Sequence, residues 1–171
     1  MSDQNVTTTE HAFILTRTFD APRALVFEAY SSCEHLRRWW GPRSWPMHEC
    51  TIDFRVGGVW HYCLRGPNPE DESWGRAVYD EIVEPERIVF TDSFSDADGR
   101  ANTAMPTTRS TIDFAEEGGR TRLTLRADFA TSEDLRAVID MGMEAGITET
   151  MDRLEEHVTR PAASSAGRWR G

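Results

Sequence analysis

The sequence of 171 residues is poor in cysteine and has no long hydrophobic run. Its three cysteines, Cys33, Cys50 and Cys63, are an odd number without C-x-x-C spacing, which argues against a secreted disulfide framework and a structural zinc site. We therefore expect buried free thiols. No apolar run approaches the roughly 20 residues that cross a bilayer, and the N-terminal stretch is polar. We expect a cytoplasmic protein that does not associate with membranes.

Positive charge is also scarce. Asp and Glu number 29 against 19 Lys and Arg, which gives a formal net charge of −10. Such a surface repels nucleic-acid phosphates and anionic lipids, so we expect neither as a partner. The length fits one domain that buries roughly two-thirds of its unfolded surface without a metal or a disulfide. We place this domain at residues 11–158 and expect flexible tails at 1–10 and 159–171.

The first part of the chain predicts one strand and two short helices. Apolar residues two or four apart in His11–Phe19 are typical of a strand with one buried face. Pro22 suits the first position of a helix, where its missing N–H is not needed. Ser31 and Glu34 have the spacing of a capping box, so a second helix should follow and end at Gly41.

Between Met47 and Phe129 the sequence contains about six strand-like segments joined by short turns. The turn residues are Gly57-Gly58, Gly66-Pro67, Glu84-Pro85, Ala97-Asp98-Gly99 and Gly118-Gly119. Short connections of this kind favour an antiparallel meander. The facing of the segment 74–83 stays open, because Arg76 and Asp80 alternate in phase with the apolar Val78 and Ile82.

The hairpin around Gly57 allows a register to be predicted. A two-residue turn would pair Val56 with Val59 and mix polar and apolar side chains on both faces. A three-residue loop with a glycine bulge pairs Arg55 with Val59 instead. We choose the second register because it gathers the apolar side chains on one face, namely Cys50, Ile52, Phe54, Trp60, Tyr62 and Leu64.

A long C-terminal helix is predicted from the Thr131-Ser132 cap to about Val158. The apolar stripe that should pack on the sheet consists of Leu135, Ile139, Gly142, Met143, Gly146, Ile147, Met151, Leu154 and Val158. Glycine weakens a helix by roughly 1 kcal/mol relative to alanine. Gly142 and Gly146 therefore indicate either close packing on the sheet or space left for another molecule.

Several segments carry a resemblance to a known family. They are FDAPRALVF at 19–27, EHLRRWWGP at 34–42, RVGGVW at 55–60, RGP at 65–67, EIVEPERIVFTD at 81–92 and the helix at 142–157. This pattern resembles the bacterial relatives of the activator of heat-shock-protein-90 ATPase, within the START-like (SRPBCC) superfamily.

The resemblance implies an α+β helix-grip fold with an inner cavity. In this fold a curved antiparallel sheet of six or seven strands surrounds a long C-terminal helix, with two short helices near the N-terminus. The resemblance does not imply one function, because relatives include ligand carriers, cyclases and a co-chaperone domain. None of the matching segments is a catalytic signature.

Asp92 is the residue with the most chemical interest. It alternates with Ile88, Phe90 and Phe94, so its side chain should face the same side as theirs. In that setting its pKa could be raised, and it could serve as an acid, a base or a ligand anchor. The alternative is that the strand ends here and that Asp92 is solvated or bonded to Arg76 or a backbone amide.

We predict no metal, no cofactor and no catalytic residue. In the chosen register the histidine and cysteine of one strand face away from those of the next, His48 and Cys50 against His61 and Cys63. Four ligands therefore cannot converge on a zinc ion, and a Cys–His nucleophile pair meets the same objection.

Aromatic residues exceed what a sheet-on-helix core needs, and some of them should line a pocket. They are Trp39, Trp40, Trp45, Trp60, Tyr62, Trp74 and Phe94, of which Trp39 or Trp45 could instead be partly exposed. We predict a ligand-binding cavity between the long helix and the sheet. Its residues are Phe54, Trp60, Tyr62, Asp92, Phe94, Met143, Gly146 and Ile147.

Three functions stay open. The leading hypothesis is the binding of a small apolar or aromatic molecule, with Tyr62 or Asp92 as polar anchor. The second is a co-chaperone that stimulates a heat-shock-protein-90-type ATPase through an exposed docking surface. The third is a cyclase- or hydrolase-like enzyme in which Asp92 moves a proton. The expected partners are accordingly a hydrophobic small molecule or a chaperone, and a homodimer is a further hypothesis.

Overall fold

The eight strands of the protein form one curved antiparallel sheet in a computed structural model that describes residues 4–159. The strands are β1 Gln4–Thr8, β2 Ala12–Phe19, β3 Met47–Ile52, β4 Val59–Arg65, β5 Glu72–Val83, β6 Arg87–Ser95, β7 Thr108–Glu117 and β8 Arg120–Phe129. Their order across the sheet is β1-β2-β8-β7-β6-β5-β4-β3. The helices are α1 Arg23–Glu28, α2 Cys33–Trp39, α3 Ser132–Asp140 and α4 Met143–Thr159. The predicted α+β class is confirmed.

The meander from β3 to β8 follows the predicted turns, with six strands between residues 47 and 129. Residues Gln4–Thr8 correct the prediction of a flexible N-terminal tail, because they pair with Gln4 opposite Arg17 and Thr8 opposite Phe13. This edge strand raises the total above the six or seven predicted. Apart from Thr159 in α4, the predicted C-terminal tail lies outside the described residues. The domain limits 11–158 stay a prediction.

The β3–β4 hairpin has the predicted faces but not the predicted register. Ile52 lies opposite Trp60, and the Asp53 N–H donates to the Val59 carbonyl at 3.1 Å, so the loop has five residues instead of three. A shift of two residues keeps every side chain on its face. A Cβ on Gly58 would lie 1.9 Å from the Asp53 carbonyl oxygen, so this tight loop requires glycine there.

The facing of β5, which the sequence left open, is settled by burial. Gly75, Ala77 and Tyr79 are buried on the helix side of the sheet, and Arg76 points away from them. A register shift between Tyr79 and Glu81 then changes the alternation. Asp80 accepts a hydrogen bond from Thr91 at 2.7 Å.

The two short helices begin slightly later than predicted. Pro22 is the N-cap of α1 and not its first residue. The cap of α2 is Ser32 and not Ser31, since the Ser32 hydroxyl accepts from the His35 N–H at 3.3 Å. Trp39 at the end of α2 is fully buried and donates its indole N–H to the Ala29 carbonyl at 2.9 Å.

The predicted C-terminal helix is present, but it does not run unbroken from the Thr131 cap, because Gly142 divides it into α3 and α4. Gly142 has a φ of +93°, a conformation that ends a helix and that glycine adopts without strain. The chain turns there, and α4 starts at Met143. Ile139 was placed on the packing stripe but is 37% exposed.

The cysteine prediction is wrong for two of the three residues. Cys33 at the start of α2 and Cys50 in β3 form a disulfide, with their Cα atoms 5.9 Å apart. Cys63 is the buried free thiol that was expected. The sequence pattern could not show this pairing, because it depends on how α2 packs against β3.

Helix α4 is fastened to the sheet by charges that the apolar pattern did not reveal. Arg17 on β2 is 4% exposed and forms ion pairs with Asp152 at 2.8 Å and Glu155 at 2.6 Å. Arg153 donates to the Gly41 carbonyl at 2.7 Å, which joins α4 to the segment after α2. These contacts fix the C-terminal half of α4.

Candidate ligand cavity

A cavity of about 370 Å³ lies between the helix side of the sheet and the segment from α3 to α4. Most of its walls are apolar side chains. The lining residues from the sheet include Tyr62, Leu64, Phe90, Asp92, Phe94, Ser110, Ile112, Leu125, Ala127 and Phe129, and those from the helical segment include Val138, Met141, Met143, Gly146, Ile147 and Met151. Size and composition match those of sites that bind small organic molecules.

Gly146 leaves space in the helix wall. A Cβ built on Gly146 would meet only the Pro42 Cγ, at 3.9 Å. Gly142 has a different role, because it ends α3 and nothing lies within 4 Å of the position a Cβ would take. The two glycines that the sequence grouped together therefore serve separate purposes, one at a turn and one beside the cavity.

Tyr62 lies over β5 because its neighbour there has no side chain. Tyr62 and Gly75 are opposite each other in the sheet, and a Cβ on Gly75 would lie 2.6 Å from the phenol. The Trp40 ring meets the Tyr62 ring edge to face, with centroids 5.9 Å apart. Burial raises the pKa of Tyr62 well above its ordinary value, and the nearby charge of Asp92 adds to this.

Asp92 points into the cavity, as its alternation with Phe90 and Phe94 predicted. It lies opposite Ala77 on β5 and Thr108 on β7, and the exposed part of its side chain faces the cavity. Within residues 4–159 its carboxyl has no hydrogen-bond or ion-pair partner, so the alternative of a bond to Arg76 does not hold. Burial raises its pKa from 3.8 to about 7.

Asp92 is the single carboxyl or basic group among the described lining residues. The other titratable groups there are the phenols of Tyr30 and Tyr62. Burial raises the pKa of Tyr30 as well, so both phenols stay neutral at physiological pH. The cavity thus combines an apolar interior with one carboxyl at its wall.

Six of the eight predicted site residues line this cavity, and two do not. Phe54 packs against Phe27 and Tyr79, with ring centroids 5.9 Å and 5.2 Å away. Trp60 is 1% exposed and belongs to the core beside Trp40. Both side chains lie on the predicted side of the sheet, but they pack against other core residues next to the cavity and do not line it.

The floor formed by β7 and β8 is the part that the sequence analysis missed. Ser110, Ile112, Leu125 and Ala127 belong to this floor. Their alternation along β7 and β8 was a signal that could have identified them. Ser110 and Ala127 are small or polar, so they give a weaker sequence signal for a cavity than the aromatic residues of β4 and β6.

The cavity opens near the junction of α3 and α4. Met141 is 59% exposed and Gly142 is exposed, yet both line the cavity. A residue that contacts both solvent and cavity marks the entrance. The chain turn at Gly142 therefore lies where a ligand would enter.

The outer side of the β4–β5 pair carries a stacked pair of a histidine and a tryptophan. His61 stacks on Trp74 with centroids 4.9 Å apart. Across residues 4–159 no group of three or more His, Cys, Asp or Glu side chains could hold a metal ion.

The model of the family described as Activator of Hsp90 ATPase homolog 1-like protein matches residues 20–159. The chain belongs to this family. The resemblance read from the sequence is thereby confirmed. Proteins with the fold of this family commonly bind hydrophobic ligands.

Several solved structures of bacterial proteins share the fold of this family member. A solution structure from Arthrobacter aurescens is 29% identical, with 92% of each chain covered and a TM-score of 0.85. A crystal structure from Mycobacterium smegmatis is 30% identical, with 91% of this chain and 98% of the other covered and a TM-score of 0.80. A solution structure from Staphylococcus epidermidis is 31% identical, with 91% and 94% covered and a TM-score of 0.77.

No protein with a curated description matches the chain. Among the described residues, no helix is long and apolar enough to cross a membrane.

Proposed function

We propose that this protein binds a small apolar or aromatic molecule in the cavity between the sheet and α4. The observation that supports the proposal is the cavity of about 370 Å³ itself, with its apolar walls and its opening at Gly142. Close packing is the rule in protein interiors, and voids larger than a water molecule are few. A space of this size beside a glycine in the packing helix suits a guest molecule.

The energetics favour an apolar guest. Each 100 Å² of apolar surface removed from water contributes about 2.5 kcal/mol. Association costs at least about 4 kcal/mol in lost translational and rotational freedom. A molecule with one or two fused rings can therefore bind measurably if most of its surface enters the cavity.

The co-chaperone alternative has less support from the structure. The exposed large apolar side chains lie on separate parts of the described chain, at Leu25, Val56, Val83, Ile139 and Met141. Only Ile139 and Met141 are close in sequence, and Met141 belongs to the cavity entrance. This arrangement does not single out one docking surface.

An enzyme is the second candidate, and Asp92 is the observation that favours it. A carboxyl with a pKa of about 7 can give or take a proton near neutral pH. Ligand binding would be the first step of such a reaction, so one experiment addresses both candidates.

The experiment is native mass spectrometry of the protein purified from its own host. The expected result is a mass above that of the chain by one small organic molecule, which organic solvent releases. A retained chaperone without a small molecule would overturn the proposal in favour of the co-chaperone. A bound molecule whose mass changes on incubation with wild type but not with Asp92→Asn would indicate the enzyme. The same spectra test the homodimer hypothesis, because a dimer has twice the mass of the chain.

A further inference from the structure

We infer that the cavity selects a hydrophobic amine, whose apolar body lies under α4 and whose protonated nitrogen pairs with the carboxylate of Asp92. The inference rests on the proposed function and narrows it to one class of ligand. It also excludes a class: fatty acids and aromatic carboxylates should bind poorly. Three properties of Asp92 support this inference, namely its charge, its surroundings and the lack of a hydrogen bond to its carboxyl from the described residues.

The charge of the lining has one sign. Asp92 is the single carboxyl or basic group among the described residues of the cavity wall, which contains no Lys, Arg or His. A ligand carboxylate would have no cation to meet there and would face a second carboxylate. A ligand ammonium would meet the opposite charge. The net charge of −10 favours the approach of cations in the same sense.

The surroundings of Asp92 suit an ammonium group. Phe90 and Phe94 lie two residues away on the same face of β6, and both line the cavity. The Tyr62 phenol is close enough for the charge of Asp92 to act on its pKa. Aromatic faces attract cations. Carboxylate and aromatic rings together make a site for a cation with an apolar body.

The unmet hydrogen bonds of Asp92 favour a ligand that donates. Within residues 4–159 the Asp92 carboxyl accepts no hydrogen bond and forms no ion pair, and its partly buried side chain faces the cavity, where a ligand that donates can reach it. An amine supplies up to three donors and a charge. A hydrocarbon of the same shape supplies neither. The raised pKa of Asp92 agrees with this unsatisfied state.

The affinity of the cavity for an amine should change with pH in one direction. The neighbours of Asp92 on β5 and β7, Ala77 and Thr108, do not titrate, nor do the lining residues of α3 and α4. The phenols of Tyr30 and Tyr62 stay neutral up to high pH. Asp92 is therefore the group that controls binding between pH 6 and 8. An amine that stays protonated over this range should bind more tightly as the pH rises and Asp92 ionises.

The test compares three probes with one ring system: 2-naphthylmethylamine, 2-methylnaphthalene and 2-naphthoate. Dissociation constants are measured by equilibrium dialysis at pH 6 and pH 8, for wild type and for Asp92→Asn. A cation that binds only the ionised carboxyl should gain about tenfold in affinity over this range. The hydrocarbon should change little, and the carboxylate should bind most weakly at pH 8. In Asp92→Asn, the ratio of amine to hydrocarbon affinity should lose its pH dependence.

The outcomes separate this inference from the proposed function. If the hydrocarbon binds and the amine shows no advantage at pH 8, the amine inference is overturned and the apolar cavity stands. If the amine advantage survives in Asp92→Asn, another group binds the nitrogen and the inference is also overturned. If none of the three probes binds, both proposals fail. The ratio of two probes cancels any general change that the substitution makes in the cavity, and thermal unfolding of Asp92→Asn confirms that it folds.

Discussion

Burial raises the pKa of Asp92 to about 7, while an ordinary aspartate has 3.8. The folded protein therefore binds more protons than the unfolded chain between these two pH values. Stability rises with pH where the unfolded state binds more protons, so here it falls as the pH rises from about 4 to 7. An ionised Asp92 destabilises the empty protein, which is the behaviour expected of a residue kept for a ligand.

Asp92→Asn should accordingly stabilise the protein at pH 8 and change it little at pH 4. The rise of the pKa from 3.8 to about 7 corresponds to about 4 kcal/mol at most, and the asparagine amide loses some of this gain through its own burial. Urea unfolding at the two pH values measures the difference. Asp98→Asn, in the exposed loop after β6, is the matched control and should show no such pH-dependent gain. Equal stability of wild type and Asp92→Asn at pH 8 would contradict the unpartnered burial of Asp92.

At the scale of the elements, the junction of α3 and α4 is set by one glycine. Gly142 has a φ of +93°, with no atom near the position of a Cβ. Gly146 lies one turn into α4, in ordinary helical conformation and also with open space beside it. The two positions differ in backbone conformation and hardly in crowding. The same substitution should therefore have opposite effects at the two sites.

Gly142→Ala should destabilise the protein by about 1–2 kcal/mol, the cost of a left-handed conformation for an L-residue. Gly146→Ala should stabilise it by up to about 1 kcal/mol, because alanine is the better helix former. Denaturant unfolding of the two variants measures both effects, and Gly142→Asn, which tolerates positive φ, should cost less than Gly142→Ala. Two destabilising alanine variants would show that Gly146 is needed for packing.

The strands, and the side of the sheet that each side chain faces, were predictable from this sequence where the alternation of apolar residues determines them. The alternation of Phe90, Asp92 and Phe94 placed the carboxyl correctly. The β3–β4 faces were also right although the register was not, because an error of two residues preserves facing. The register itself depends on the close approach of Gly58 to the Asp53 carbonyl, and the sequence pattern does not show this contact.

The features that the sequence analysis did not predict have no local signal in the sequence. The break at Gly142 competes with an apolar stripe that continues on both sides, and glycine within a helix or at its end looks the same in sequence. The Cys33–Cys50 disulfide and the ion pairs of Arg17 depend on the packing of α2 and α4 against the sheet. Of the candidate site, the walls from β4, β6 and α4 were predicted, and the floor from β7 and β8 was not.

At the scale of the whole molecule, α4 has two halves with different environments. Its C-terminal half carries the buried Met151, Leu154 and Val158 and the ion pairs to Arg17. Its N-terminal half, from Met143 to Ile147, is less buried and covers the cavity. The ion pairs of Arg17 and the buried Leu154 and Val158 lie C-terminal to the cavity wall at Gly146, so a change at Gly146 leaves these anchoring contacts in place.

Gly146→Leu uses this division to test whether the cavity is the binding site. The leucine side chain has room to enter the cavity, since a Cβ at this position meets only the Pro42 Cγ at 3.9 Å. The helix itself gains from the exchange of glycine for leucine. We expect a folded protein whose affinity for 2-methylnaphthalene is at least about tenfold lower than that of wild type, or about 1.4 kcal/mol.

The matched control for this prediction is Ala145→Leu, which adds a leucine on the exposed side of the same turn, outside the cavity lining. It should bind 2-methylnaphthalene as wild type does, because the bulk points to solvent. Equal weakening in both variants would trace the effect to the helix and not to the cavity. Unchanged binding by a folded Gly146→Leu would place the binding site elsewhere. If Gly146→Leu alone unfolds, the space beside Gly146 is needed for packing. The cavity would then be filled from the sheet side instead, by a larger residue at Ala127, and the binding of 2-methylnaphthalene measured again.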